Sequence, residues 1–357
     1  MESRNGAWDE LGWGEWFEKK AEGNPGYAIA RVAAVDRDAL LLVDRAGTFR
    51  AKLAGSYRYR HHLSHELPCV GDWVFVEKLP GDDFGLICAL LERRTALRRR
   101  SAGSAAEYQM IAANVDCVII VQSCHFDFNL KRLERYLVMV SDGGAEPCIL
   151  LTKTDLVPPS VLGSQLADIR AAGITAPVIT LSNVTREGLD DLRRLLSPGK
   201  TYCFVGSSGV GKSTLINSLA GRDLLETKDV SGTGEGRHTT VRRELIPLEG
   251  AALVIDNPGM REFGILGADL GMAAGFSDIT GLASGCRYRD CRHENEPGCA
   301  VMEAAHSGDI SREHYENFLK LREESEFSQM SHAEKRKKDR DFGRFIKSAK
   351  KVLDDDL

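Results

Sequence analysis

The chain has no run of about 18 apolar residues, the length a helix needs to cross a bilayer. Its opening, Met1-Glu-Ser-Arg-Asn-Gly6, lacks the apolar core of a secretory signal, so a cytoplasmic protein without membrane contact is expected. There is no excess of positive charge: 47 Lys and Arg face 52 Asp and Glu. Any binding to nucleic acid must therefore come from local patches. An even set of cysteines is also missing. Of the nine, Cys69, Cys88, Cys117, Cys124, Cys148 and Cys203 are scattered, several of them in apolar runs, and are expected as buried thiols. The other three crowd near residue 290. This excludes a disulfide framework and predicts a reducing compartment with one metal site. With 357 residues, 43% of them apolar, two or three domains with sizeable cores are possible.

What is present is organised around Gly206-Ser-Ser-Gly-Val-Gly-Lys-Ser213, a G-x-x-x-x-G-K-S string followed by Thr214. Thr201–Val205 before it reads as a buried strand, and Thr214–Ala220 after it has helical spacing. Strand, glycine loop and helix together make a phosphate site, because the glycines let consecutive N–H groups wrap an anion at a helix N-terminus. The whole loop is expected to hold nucleotide: Gly206, Ser207, Ser208, Gly209, Val210, Gly211, Lys212, Ser213 and Thr214. Lys212 is expected at the β- and γ-phosphates and Ser213 at Mg²⁺. A glycine-rich turn with an exposed lysine is the bland alternative, disfavoured by the strand and helix that flank it.

Four further segments make sense only with that loop. Ala252–Asp256 is an apolar strand ending in an acid, and Gly259 follows as D-x-x-G, so Asp256 suits the outer shell of Mg²⁺ and Gly259 a γ-phosphate contact. Between them Val230–Thr240 is glycine-rich and polar, a switch-like loop in which Thr239 or Thr240 can ligate Mg²⁺. Thr152, Lys153, Thr154 and Asp155 close the strand Pro147–Leu151, and Asp155 can accept from both guanine N1–H and N2–H₂, a pattern that adenine lacks. Ser182 and Asn183 close the strand Pro177–Leu181, with backbone donors for guanine O6. The bound species is then GTP or GDP with Mg²⁺. The base-reading segments precede the phosphate loop, the reverse of the usual GTPase order, so the sheet is circularly permuted. No glutamine follows Gly259; Met260-Arg-Glu-Phe263 stands there. Slow intrinsic hydrolysis is expected, with His238 or a partner positioning the water.

Taken in order, residues 1–24 form an extension with Trp8, Trp13, Trp16 and Phe17 on one helical stripe, expected to dock on the body. Residues 25–92 hold five short strand-like runs and suggest an OB-fold barrel. Tyr57-Arg-Tyr-Arg-His-His62 between them suits either RNA or a solvated loop. Residues 93–104, with five arginines within eight positions, read as a basic linker, either solvated or lining a phosphate-binding surface. From 105 to 270 strands and helices alternate, which predicts a parallel sheet covered on both faces. Residues 271–357 contain Cys286, Cys291, His293 and Cys299, spaced C-x4-C-x-H-x5-C. Three thiolates and an imidazole suit a closed tetrahedral Zn²⁺ site, although that spacing alone also fits a set of reduced surface thiols. A helix over Ile310–Arg322 and a strongly basic tail, 334–351, complete the chain.

The strings at 152–155, 206–213, 236–240 and 256–259 resemble those of the ribosome small-subunit-dependent GTPase A family (RsgA), circularly permuted GTPases of bacteria, and the resemblance spans about residues 25–330. It implies an α/β chain of three parts: an N-terminal OB-fold, a permuted P-loop GTPase domain and a C-terminal α-helical zinc-binding domain. It also implies one structural Zn²⁺ on Cys286, Cys291, His293 and Cys299. The activity implied is GTP hydrolysis stimulated by the 30S ribosomal subunit during its late maturation. The partners are then that subunit and its 16S rRNA, and the protein a monomer. Two departures stand out: Thr152 occupies the place of a usual Asn, and Asn257 that of a usual Thr. Other readings, a P-loop ATPase or kinase and an RNA-binding module with a vestigial nucleotide site, are opposed by Asp155 and by intact Lys212, Ser213 and Asp256.

Overall fold

The computed structural model describes residues 6–22, 26–78, 84–100, 108–225, 243–256 and 268–330, with helical positions at 334, 337 and 340. The switch-like loop with His238, Thr239 and Thr240, Asn257, the segment Gly259–Phe263 and most of the basic tail lie outside the described residues.

The Trp-rich extension forms two short helices, α1 (Gly6–Glu10) and α2 (Glu15–Ala21), where one stripe was expected. Gly12, with φ of 78°, turns the chain between them. Trp8, Trp13 and Phe17 close around Trp73 at centroid distances of 5.4, 4.7 and 5.8 Å. The extension is docked by its rings.

Five strands follow where five were expected: β1 (Ala28–Val35), β2 (Leu40–Asp44), β3 (Gly47–Leu53), β4 (Trp73–Lys78) and β5 (Phe84–Leu90). In β3 the alternation is clean, with Phe49 and Ala51 buried and Arg50 and Lys52 exposed. The strands join in the order β1-β2-β3-β5-β4, and β4 returns to β1. That closed five-stranded arrangement, with β3 and β5 parallel, is the OB-fold. The Tyr57–His62 stretch is no loop for most of its length: α3 (Gly55–Arg60) buries Tyr57 and leaves Tyr59 80% exposed between Arg58 and Arg60.

Of the expected linker at 93–104, the described residues 93–100 are built into the structure. β6 (Ala96–Arg100) pairs with β7 (Tyr108–Ala113) as an antiparallel hairpin. Arg93 grips both oxygens of buried Asp72 at 2.8 Å, Arg94 reaches Asp116 at 2.5 Å and Arg98 reaches Asp142 at 3.0 Å. These arginines neutralise carboxylates of the body rather than forming an open phosphate surface.

The α/β layer runs β8 (Cys117–Ser123), α4 (Leu130–Asp142), β9 (Glu146–Thr152), α5 (Pro159–Ala171), β10 (Val178–Leu181), α6 (Leu189–Leu195), β11 (Thr201–Val205), α7 (Lys212–Ala220), β12 (Glu244–Pro247) and β13 (Leu253–Asp256). Across the sheet the order is β10-β9-β8-β11-β13-β12, parallel except for β12. β8 and β11 are buried at every position, as strands covered on both faces must be. A single bridge, Ala34 to Glu244, joins β12 to the barrel strand β1.

Four helices end the described chain: α8 (Asp269–Gly275), α9 (Ser277–Ala283), α10 (Ala300–Ser307) and α11 (Arg312–Gln329). The last runs seven residues beyond its expected end. Their core includes Phe276, Ile279, Val301, Phe318 and Leu321, together with Val138 of α4.

Arg31 pins the extension, barrel and α/β layer together. It is 1% exposed. It donates to the carbonyls of Leu11 (2.6 Å), Gly71 (3.2 Å) and Asn114 (3.2 Å), and to Thr201 Oγ1 (2.9 Å). Burial pulls its pKa down to about 10, against the nearby Asp116 charge. Replacing it takes the side-chain donor from the Leu11 and Asn114 carbonyls, while Gly71 keeps its bond from Asn114 Nδ2. Arg31→Met is expected to lose about 3 kcal/mol in urea unfolding followed by tryptophan fluorescence. An unchanged midpoint would show that the pin contributes nothing.

Candidate nucleotide site and metal centre

Parallel strands end at one edge, and here that edge gathers every base- and phosphate-reading segment that the structure describes. Ser123 of β8 and Leu181 of β10 are both in register with Thr152 of β9, and Phe204 of β11 with Asp256 of β13. The centre of this edge is the loop Gly206–Gly211 between β11 and α7, at the point where sheets of this kind bind ligands. Three of its glycines, Gly206, Gly209 and Gly211, have positive φ. Gly206 has φ of 147°, and a Cβ on it would lie 2.2 Å from the Val121 carbonyl; Gly211 has φ of 98° and begins α7.

Neighbouring strand ends hold the loop by its carbonyls. Thr152 Oγ1 lies 2.7 Å from the Val210 carbonyl and 3.2 Å from that of Gln122. A hydroxyl donates one proton, so the shorter contact takes it. Asn183 Nδ2 donates to the Gly211 carbonyl at 3.2 Å. Lys212 Nζ donates to the carbonyls of Gly206 (2.9 Å) and Ser207 (2.6 Å), leaving one N–H for a ligand. Ser213 is half-buried in the first turn of α7 beside exposed Thr214, and Asp256 is buried at the end of β13.

The base-reading group is assembled from two strands. Ser182 Oγ donates to Asp155 Oδ1 at 2.5 Å. The same oxygen accepts from the N–H groups of Val184 (3.2 Å) and Thr185 (3.0 Å), which fixes its direction. Asp155 is exposed. Lys153 takes a left-handed φ of 59°, and its Nζ lies 4.7 Å from the centre of the Phe126 ring. Thr154 opens the short turn Thr154–Leu156 that carries Asp155. Phe126 and Asp127, in the loop after β8, were not expected at this edge. The available signal was that β8 ends beside β9, so its loop must face the same ligand.

In the C-terminal part Cys286, Cys291, His293 and Cys299 come together, with their four donor atoms within 4.8 Å of one another. Cys286 Sγ lies 3.6 Å from His293 Nδ1 and 3.9 Å from Cys299 Sγ, and His293 Nδ1 lies 3.3 Å from Cys299 Sγ. Tetrahedral Zn–S and Zn–N bonds of about 2.3 and 2.05 Å require separations of about 3.8 Å between sulfurs and about 3.6 Å between sulfur and nitrogen. The donor set fits. Burial acts to raise the Cys286 thiol, but the N–H groups of Val301 and Ala300, at the start of α10, bring it below its ordinary value. Met302 N–H likewise points at Cys299 Sγ, at 3.4 Å.

Loop, base-reading acid and strand-end acid on one parallel edge, in permuted order, define a circularly permuted P-loop GTPase. A family model described as RsgA GTPase matches residues 90–266. A small ribosomal subunit biogenesis GTPase RsgA 2 of Listeria monocytogenes is 42% identical over 88% of this chain and 88% of its own. An RsgA 1 of Bacteroides thetaiotaomicron is 35% identical over 98% and 99%. The crystal structure of YjeQ from Thermotoga maritima superposes with a TM-score of 0.62 at 25% identity, covering 82% of this chain and 96% of that one. YloQ, titled a circularly permuted GTPase, shares the fold with a TM-score of 0.61. The chain belongs to the RsgA GTPase family, and it is a GTP-hydrolysing enzyme. This favours the GTPase reading over a P-loop kinase or a vestigial site.

The Lys212 ammonium is pulled down to about 8 by burial, against Asp256 and Asp127, which hold it up. Phosphate brought against it raises its pKa again. Binding therefore takes up a proton once pH passes the free-site value. GDP affinity is expected to be flat below about pH 8 and to fall by up to about tenfold per unit above it, read by titrating a fluorescent GDP analogue. A level profile up to about pH 9.5 would show that Lys212 does not meet the phosphates.

Proposed function

We propose that this enzyme binds the maturing 30S ribosomal subunit and hydrolyses GTP on it. The observation that carries the reading is the single sheet edge shared by Asp155, Ser182, the phosphate loop and Asp256. Asp155 reads guanine through N1–H and N2–H₂, with Ser182 and Asn183 toward O6 and the Lys153 stem along the ring. The loop N–H groups and Lys212 take the β- and γ-phosphates. Ser213 holds Mg²⁺ together with Thr239 or Thr240, and Asp256 stands in its outer shell; the ion offsets charge on the phosphates. Gly259 senses the γ-phosphate. With no glutamine after it, the attacking water is positioned by His238 or by a group of the subunit. Intrinsic turnover is accordingly slow.

The four-residue centre near residue 290 holds one structural Zn²⁺, supported by donor spacings that match tetrahedral geometry. It leaves no ligand position open for catalysis. Partner contact is assigned to 16S rRNA. Arg58, Tyr59 and Arg60 on α3 of the barrel support this, as do Arg287, Arg289 and Arg292 around the metal loop, with Tyr288 43% exposed among them. The protein works in the cytoplasm as a monomer. No described helix is long and apolar enough to cross a membrane.

The deciding experiment is GTP turnover with and without purified 30S subunits. Stimulation of about tenfold or more is expected, and its loss in Ser213→Ala, which removes a Mg²⁺ ligand. A turnover that the subunits leave unchanged would end the proposal. For the metal, protein purified without chelators should contain one zinc per chain. Stripping it should lower the melting temperature of the C-terminal part. Zinc-free protein with an unaltered melt would remove the metal from the account.

A further inference from the structure

The sheet order sets two exposed apolar side chains on either side of the base-reading acid. β10, β9 and β8 are consecutive neighbours, and Leu181, Thr152 and Ser123 stand in one registered row at their ends. The third residue beyond each is Val184, Asp155 and Phe126, so the acid comes between the other two. Val184 is 80% exposed and Phe126 47%. Single exposed apolar side chains are ordinary on a protein surface. These two differ in how firmly the chain holds them beside Asp155.

Val184 belongs to a turn fixed on both sides. Asn183 Nδ2 donates to the Gly211 carbonyl at 3.2 Å, and the N–H groups of Val184 and Thr185 donate to Ser182 Oγ. The same hydroxyl donates to Asp155 Oδ1, so Val184 is set relative to the acid through one oxygen atom. The loop holding Phe126 is tied to β9. Cys124 N–H donates to the Thr152 carbonyl at 2.9 Å, and the Cys124 carbonyl accepts from Gln165 Nε2 of α5 at 2.8 Å. Lys153 crosses this junction. Its ammonium lies 4.7 Å from the centre of the Phe126 ring, a cation–π contact, so its side chain runs from the end of β9 toward the β8 loop. A purine has a polar rim and two flat apolar faces. Bonds to Asp155 fix the rim and leave both faces to be covered. We propose that Val184 and the Phe126–Lys153 pair are the two walls of a guanine slot: Val184 covers one face of the base, and Phe126 pins Lys153 so that its methylene stem covers the other. The proposal rests on the reading that Asp155 takes guanine. Val184 touches the ligand, whereas Phe126 is a positioning residue that acts through Lys153. Neither wall reads the rim, so the walls add affinity and the choice of guanine over adenine stays with Asp155.

The test uses the full chain with Mg²⁺, titrated with a fluorescent GDP analogue, and steady-state GTP turnover. Val184→Ala removes most of one wall and is expected to weaken GDP binding about threefold or more. Phe126→Ala releases Lys153 and should cost about threefold. KM should rise by the same factors with kcat unchanged, because the walls hold the base equally in ground and transition states. Phe126→Tyr keeps the ring face and Val184→Leu keeps the apolar cover, and both should bind as the unaltered protein does. In a Lys153→Ala background Phe126→Ala should add little. Both side chains are exposed, so the melting temperature of the nucleotide-free protein should hold in every variant. Native GDP affinity in Val184→Ala or in Phe126→Ala overturns the proposal, which needs both walls. So does a Phe126→Ala loss that persists in full without Lys153, or one that Phe126→Tyr does not rescue. If the unaltered protein binds ADP as tightly as GDP, the Asp155 reading itself fails and the slot fails with it. A clear guanine preference that ignores positions 126 and 184 removes the walls alone.

Discussion

The nucleotide site depends on which way a few carbonyl groups point. A peptide unit is planar, so drawing its oxygen outward turns its N–H inward. Around the phosphate loop the carbonyls of Gly206, Ser207, Val210 and Gly211 are each taken by a side chain: Lys212 for the first two, Thr152 and Asn183 for the others. Glycine at 206 and 211 makes the required backbone angles accessible. None of this refers to chain order. It requires only that β8, β9, β10 and β11 end at one edge, and a parallel sheet supplies this however its strands are connected. Permutation therefore preserves the site.

What permutation changes is the attachment of the C-terminal helices. Their docking runs largely through α4, the helix that follows the Asp127 loop. Gly271 and Gly275 of α8 lie so close to it that a Cβ at Gly271 would sit 2.1 Å from the Val138 carbonyl. On its flank Glu134 Oε1 lies 2.6 Å from His314 Nδ1, and His314 Nε2 lies 3.1 Å from Asp278 of α9. Burial acts to lower the pKa of His314, and the bonds to Asp278 and Glu134 overcome this and raise it to about 9. The ring is thus charged at neutral pH, and a buried charged triad strongly resists being pulled apart. The next residue on α11, Tyr315, donates to the carbonyl of His293 in the metal centre. Successive helix positions diverge by about 100°, so one turn of α11 grips the α/β layer with one side chain and the metal loop with the next. The Cys/His cluster is thereby held to the α/β layer through α11, beside the direct packing of α8 on α4.

The parts of this architecture that were readable in the sequence are those carried by local pattern. Five alternating runs became the five barrel strands, and continuous apolar runs became β8, β9 and β11. Among the described residues, Thr152, Ser182 and Asp256 stand at or next to the ends of β9, β10 and β13. What was not readable depends on partners distant in sequence. Arg93 and Arg94 look free until Asp72 and Asp116 are folded against them, across 21 and 22 residues. The hairpin of β6 and β7 was hidden because its arginines suggested solvent and not a strand. Spacings of three to five do not show the turn at Gly12, so the Trp stripe reads as one helix. Asp127 carries no motif; its place at this edge follows from the register of β8 beside β9, which the sheet reveals.

The one departure inside the base-reading string illustrates how little the site demands of each position. An Asn amide offers two N–H donors, whereas Thr152 offers a single O–H. The structure has one essential bond there, to the Val210 carbonyl at 2.7 Å, and a hydroxyl can make it. The carboxylate meant for the base does not lean on residue 152. Asp155 is oriented from the opposite side by Ser182, itself fixed by two backbone N–H groups of its own turn. Holding the loop and reading the base are therefore separate tasks assigned to separate residues. Thr at position 152 alters the first by one donor and leaves the Ser182–Asp155 bond untouched.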